Sequence, residues 1–149
     1  MVPTSPDNQL SHNAVQQQHE RLESLQKAIE NRFSRDRSPS RSLISLLNAL
    51  AVHLQTHFEW EESDGYFSGI VQRLPRLSEA VDQLVREHAA FLGEVNELVT
   101  MARIDLTNNR DTTDLAERFA QLHCKLISHE HEENRLLQEA YIVDIGTQD

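Results

Sequence analysis

Two pairs of residues in this chain could do metal chemistry. His57 and Glu61 are four positions apart, and so are His129 and Glu133. On a helix that spacing sets both groups on one face. Two further histidines, His19 and His88, stand without such a partner. Imidazole nitrogen combined with carboxylate oxygen suits iron, manganese or zinc. The six groups together exceed what one tetrahedral zinc takes. They suit two metals about 3.5–4 Å apart with the glutamates between them.

Such a site needs rigid elements to bring its parts together. Only four Gly and four Pro occur in 149 residues, which favours long helices. Four helical segments and no strand pattern are legible. Residues 1–8 read as a disordered lead, and residues 9–145 as a single domain. The first helix is predicted from about Asn8 to Phe33, ended by the polar stretch SRDRSPS. Ser38 and Pro39 are predicted to open the second helix as N-cap and first helical residue. That helix is expected to run to about Tyr66 or a little beyond, loosened by Gly65 and Gly69 and stopped at Leu74-Pro75. The third runs from about Leu77 to Leu106. After the turn TNNRD, a cap at Asp111, Thr112 or Thr113 starts the fourth, which reaches about Tyr141.

Each segment carries a seam that steps alternately by four and three, the mark of helices packed in a bundle. The second helix offers Leu43, Leu47, Leu50, Leu54, His57 and Glu61. The third offers Leu77, Val81, Leu84, His88, Phe91, Val95 and Leu98. The fourth offers Leu115, Phe119, Leu122, Leu126, His129, Glu133 and Leu136. The first offers Val15, His19, Leu22, Gln26, Ile29 and Phe33. The six candidate ligands are polar interruptions of these apolar seams.

The interruptions should meet at one level of an up-down-up-down antiparallel four-helix bundle. His19 lies about 18 residues before the first turn and His57 about 20 after it. Glu61 and His88 lie about 14 and 13 residues from the second turn. His88 and His129 lie about 21 and 20 from the third. At about 1.5 Å per residue, these heights agree to some 3 Å. Two carboxylates and four imidazoles buried without a partner would cost heavily, and a bound cation removes that cost.

Composition narrows the classes. The net charge of −10 shows no basic stripe and argues against nucleic acid and anionic lipid as partners. No apolar run approaches a membrane span, and the N-terminus lacks the features of a signal peptide. The single Cys124 forms no internal disulfide, so the expected location is a reducing cytoplasm. It is expected to be a buried packing residue. No Glu-x-x-His, His-Glu-x-x-His or Gly-rich phosphate loop is present.

The other polar residues have quieter readings. His53 lies one turn before His57 and is a candidate substitute ligand, displaced by about 5.4 Å, or a flank residue bonded to a carboxylate. His12 belongs near the bundle end. His123 and His131 fall off the seam and are expected to face solvent. Glu62 and Glu130 adjoin ligands and could orient an imidazole. Glu20, Glu59 and Glu132 suit a solvated face. Phe58 and Trp60 are expected to pack beside the site, and Tyr66 and Tyr141 near helix ends.

The segments HFEWEESDGYF and HEHEEN resemble the repeated His-x-x-x-Glu segments of hemerythrin-like, or HHE cation-binding, domains. QQHERLESL and VREHAAFL resemble that family's single-histidine segments. The resemblance spans about Gln16 to Tyr141. It implies a non-haem di-iron centre with His19, His57, Glu61, His88, His129 and Glu133 as ligands, and zinc or manganese as substitutes. It also implies a protein that binds or senses O2, a related diatomic or iron. Oxygen-carrying members have a His-x-x-x-His pair on the third helix. Here the corresponding neighbours of His88 are Leu84 and Leu92, which cannot coordinate. One metal is therefore expected to keep an open position, a water or a substitute ligand. That departure motivates a second reading, a di-iron peroxidase or nitric-oxide-handling enzyme. A third is a metal-free structural bundle. Binding or sensing is preferred over turnover, because no segment suggests a pocket for an organic substrate. A sensor of one domain would need a separate protein partner.

Overall fold

A computed structural model describes residues 6–63 and 65–146, with side chains over residues 16–63 and 65–142. Its helices are α1 (Pro6–Arg35), α2 (Arg41–Ser63), α3 (Tyr66–Arg73), α4 (Ser78–Asn108) and α5 (Thr113–Gly146), with a 3-10 turn at Pro75–Leu77. Among the described residues there is no strand. Most of the expected lead lies outside the described residues, and its last three positions, from Pro6, stand in α1. None of the described helices is long and apolar enough to cross a membrane.

The helix ends follow from local hydrogen bonds. Ser40, not Ser38, caps α2: its hydroxyl accepts the Leu43 amide at 3.1 Å. Ser38 is instead held by the turn in which its amide donates to Asp36 Oδ1 at 2.8 Å. The second expected helix is two helices. Gly65 adopts a left-handed φ of 83°, which breaks the chain after α2 and starts α3. Asn109, also left-handed, closes α4. Asp111 Oδ1 accepts the Thr113 amide at 3.1 Å to open α5. Thr112 is buried, and both its amide and its hydroxyl donate to Arg37 O, at 2.7 and 2.9 Å. This ties the α4–α5 connection to the α1–α2 connection.

The four long helices form a closed cycle of neighbours: α1 on α2, α2 on α4, α4 on α5, and α5 on α1. The short α3 covers one end, against α2, α4 and α5. Every seam position of α2, α4 and α5 is buried, as are Leu22, Gln26, Ile29 and Phe33 of α1. Two apolar clusters result. The larger runs through Ile29, Leu47, Leu50, Leu54, Val95, Leu98, Leu115, Phe119 and Leu122. The smaller joins Phe67 and Ile70 of α3 to Val81, Leu84 and Leu136. Each fully buried Leu or Phe side chain contributes roughly 1.5–3 kcal/mol of transfer free energy. Along α4 and α5 the polar interruptions lie between these clusters, with Leu84 and Leu136 on one side and Phe91 and Leu126 on the other.

Candidate metal centre

The structure brings all six seam residues together. Metal-ligating atoms of Glu61, His88, His129 and Glu133 lie within 4.8 Å of one another. Those of His19, His57 and Glu133 form a second group on the same criterion, so Glu133 is common to both. Five of the six are buried, with exposures of 1–4 %. His19 is half-buried. Helical spacing explains the local geometry. His57 Nε2 lies 3.2 Å from Glu61 Oε1, and His129 Nε2 lies 3.0 Å from Glu133 Oε1, each across one turn. His88 Nε2 reaches both carboxylates, at 3.4 Å from Glu61 and 3.7 Å from Glu133.

Each imidazole also has a partner on its outer nitrogen. His57 Nδ1 pairs with Gln18 Oε1 at 2.7 Å, and His88 Nδ1 with Glu62 at 3.0 Å. His129 Nδ1 pairs with Glu87 at 3.0 Å, and His19 Nδ1 faces Glu130 at 3.4 Å. The arrangement runs round the bundle. Gln18 of α1 serves α2, Glu62 of α2 serves α4, Glu87 of α4 serves α5, and Glu130 of α5 serves α1. Each outer group is the sequence neighbour of a ligand candidate on its own helix. A carboxylate or amide oxygen there can accept a hydrogen bond from Nδ1–H, the tautomer that would leave an Nε2 lone pair for a metal.

Two of these outer partners, Glu62 and Glu130, were expected from sequence. Gln18 and Glu87 were not, although each directly precedes a seam histidine. That adjacency is the signal that finds them. His53 does not join the cluster; it borders a surface cleft with Gln17, Glu20, Arg21, Ser24 and Leu25. His131 is exposed, as expected. His123 is not solvent-facing. It is half-buried, with Nδ1 at 2.6 Å from Gln26 Oε1 and Nε2 at 3.2 Å from Glu30. Position 123 turns toward α1, whose buried Gln26 needs a partner. Cys124 is exposed rather than packed, because it falls between the seam positions 122 and 126. His12 lies outside the residues with described side chains.

Aromatic rings wall the site. Phe58 stacks on His88 with centroids 3.8 Å apart and planes 7° apart. Phe67 lies nearly parallel to His88 at 5.6 Å, and Phe91 meets His129 edge-on at 5.1 Å. Trp60 flanks His57 at 6.5 Å. The Tyr66 hydroxyl is buried without a hydrogen-bond partner. Burial, then the carboxylates of Glu133 and Glu61, push its pKa upward.

Electrostatics show what the interior asks for. Burial depresses the His57 pKa to about 4, outweighing the pull of Glu133. Burial, and then the charge of Glu133, raise Glu61. Burial would also raise Glu133, but the hydrogen bond from His129, with the His88 ring close by, holds it low. Burial opposes protonation of His129, yet the acceptors Glu133 and Glu87 win and raise its pKa. Without a cation, burial and the charge of Glu133 thus keep a proton on Glu61. His19 Nε2, His88 Nε2 and both Glu61 oxygens remain buried without a hydrogen-bond partner. Orphans of this kind cost about 1–3 kcal/mol each. Cations held by the two ligand groups would satisfy them, so the residues present fit a metal.

A family model, Hemerythrin HHE cation binding domain, matches residues 11–141. The chain belongs to the hemerythrin family. No curated protein and no solved structure gave a significant match. The matched span of this hemerythrin domain contains all six convergent residues and the four outer partners of its imidazoles. A cation-binding domain and a buried His/Glu cluster point to the same chemistry, metal binding.

Proposed function

We propose that this hemerythrin domain holds two iron ions through His19, His57, Glu61, His88, His129 and Glu133, and that it binds or senses O2 or a related diatomic. The observation that carries this reading is the set of buried atoms without a hydrogen-bond partner, His19 Nε2, His88 Nε2 and both Glu61 oxygens, spread over two ligand groups that share Glu133. We also propose that the four long helices alternate in direction, up-down-up-down. The matched distances of the six residues from the turns support that direction. Mixed nitrogen and oxygen donors without a thiolate favour iron, with zinc or manganese as substitutes. The lone cysteine suits a reducing cytoplasm.

When bound, iron supplies a ferrous–ferric couple and an open position for a small ligand. The chain's own residues supply the rest. Gln18, Glu62, Glu87 and Glu130 hold the outer nitrogens and fix each ring. Phe58, Phe67 and Phe91 exclude water from the inner ones. Glu61 and Glu133 offset the cationic charge at the interior. With Phe58, Phe67 and Phe91 packed against the imidazoles, the surroundings favour a ligand of diatomic size over an organic substrate.

The test is anaerobic loading of the full chain with ferrous ion, metal analysis, and then exposure to air. Two irons per chain and a new near-ultraviolet charge-transfer band are expected. One metal per chain, or none, would overturn the di-iron reading. Turnover of peroxide or nitric oxide well above that of free iron would move the assignment to an enzyme.

A further inference from the structure

The ring of outer partners has one odd member. Three of the four imidazoles face a carboxylate, from Glu62, Glu87 and Glu130. His57 faces an amide, from Gln18. A carboxylate accepting the Nδ1 proton makes the inner nitrogen a stronger donor, and a neutral amide does so less. The two histidines beside the close carboxylates, His88 and His129, belong to the same ligand group. That group also has both glutamates, Glu61 and Glu133. The other group has His57 on its amide and His19, whose carboxylate stands further off at 3.4 Å, with Glu133 as the shared member, and Glu61 approaches it only at His57, at 3.2 Å. Outer support, and the grouping of Glu61 with His88 and His129, favour the same half.

We infer that the two halves of the site bind metal unequally and that Gln18 sets the difference, leaving the His19/His57 half as the weaker, exchangeable position. This rests on the dinuclear reading above. Gln18 is a positioning residue: it acts on the metal only through the His57 ring. The amide at this place does not reflect a lack of room for a carboxylate, since glutamate and glutamine have the same shape. It lowers the negative charge behind His57 and weakens one half of the site.

The experiment is a titration of the metal-free full chain with zinc, a redox-silent probe, repeated anaerobically with ferrous ion. Two steps of one equivalent each are expected, separated by at least about tenfold in affinity, the usual scale of such outer-partner effects. In Gln18→Glu the second step should tighten by about tenfold while the first holds. In Gln18→Met, which keeps the length and loses the acceptor, the second step should weaken further. In Glu87→Gln the first step should weaken instead. Circular dichroism and melting temperature verify that each variant folds. Two equal, indistinguishable steps would overturn the inference and leave the dinuclear reading intact. So would a Gln18→Glu variant whose first step alone moves. Uptake of only one metal would overturn the dinuclear reading itself.

Discussion

The ring of Phe58 lies flat on that of His88, its centroid 3.8 Å away. The two belong to different helices, so this stack couples α2 to α4 at the level of the metal site. Phe67 lies against the same imidazole at 5.6 Å. His88 is thus fixed by rings as well as by Glu62. Phe58→Ala should lose about 3–5 kcal/mol in denaturant unfolding, the usual cost of emptying a buried aromatic site. Phe58→Leu should lose less, yet still weaken metal binding by about tenfold, because the ring that orients His88 is gone. Unchanged affinity in Phe58→Leu would show that Glu62 alone orients the imidazole.

Much of the fold and the site was legible because both depend on one number, the helical repeat. A seam that steps by four and three is the buried face of a helix, so Leu47, Leu84 and Leu122 could be assigned to the core before any coordinates. The same repeat marked His57, Glu61, His88, His129 and Glu133 as buried and set their heights. What escaped lies one residue off the seam. Gln18 and Glu87 sit at positions that could face solvent or a neighbouring helix, and spacing along one helix does not decide which. His123 was misplaced for that reason; its partners Gln26 and Glu30 are on α1. The break at Gly65 was missed as a break because a single glycine within a helical pattern is usually tolerated, and only its left-handed φ separates α2 from α3.

Metal binding should release protons. In the metal-free chain burial and Glu133 push Glu61 up to about 12, so it carries a proton near neutral pH, while Glu133 and Glu87 shift His129 toward its protonated form. His57 is depressed to about 4 and is already neutral. Ligands must be deprotonated to coordinate, so these protons compete with the metal, and affinity should climb as pH rises. Zinc titrations at pH 7 in two buffers of different ionisation enthalpy should report roughly one to two protons released per chain. No dependence on buffer would mean that Glu61 is not protonated in the metal-free cluster.

Removal of the metal should soften the whole bundle, since the site links all four long helices. A ligand held at about a thousand times its dissociation constant adds about 4 kcal/mol to the folded state. For a chain of this size that amounts to a fall in melting temperature on the order of 10 °C on chelation. His88→Ala removes a residue that faces both glutamates, so its melting temperature should barely respond to chelator. A wild-type melting curve indifferent to chelation would favour a metal-free structural network.

The Tyr66 hydroxyl offers a check on the metal-free state. It is buried at the start of α3 and makes no hydrogen bond, while Trp60 and Phe67 pack round its ring at 5.2 and 5.4 Å. An unsatisfied buried hydroxyl costs about 1–3 kcal/mol, and replacing it with hydrogen removes that cost without disturbing the ring. Tyr66→Phe should therefore leave the stability of the metal-free chain unchanged or raise it by about 1 kcal/mol. The burial and acidic neighbours that push the phenol upward keep it protonated at any working pH, so the effect should not vary between pH 6 and 8, a range of about two units around neutrality. Unfolding in urea with metal removed measures it directly. A loss of more than about 1 kcal/mol would mean that the hydroxyl is satisfied in solution and that α3 is anchored through it.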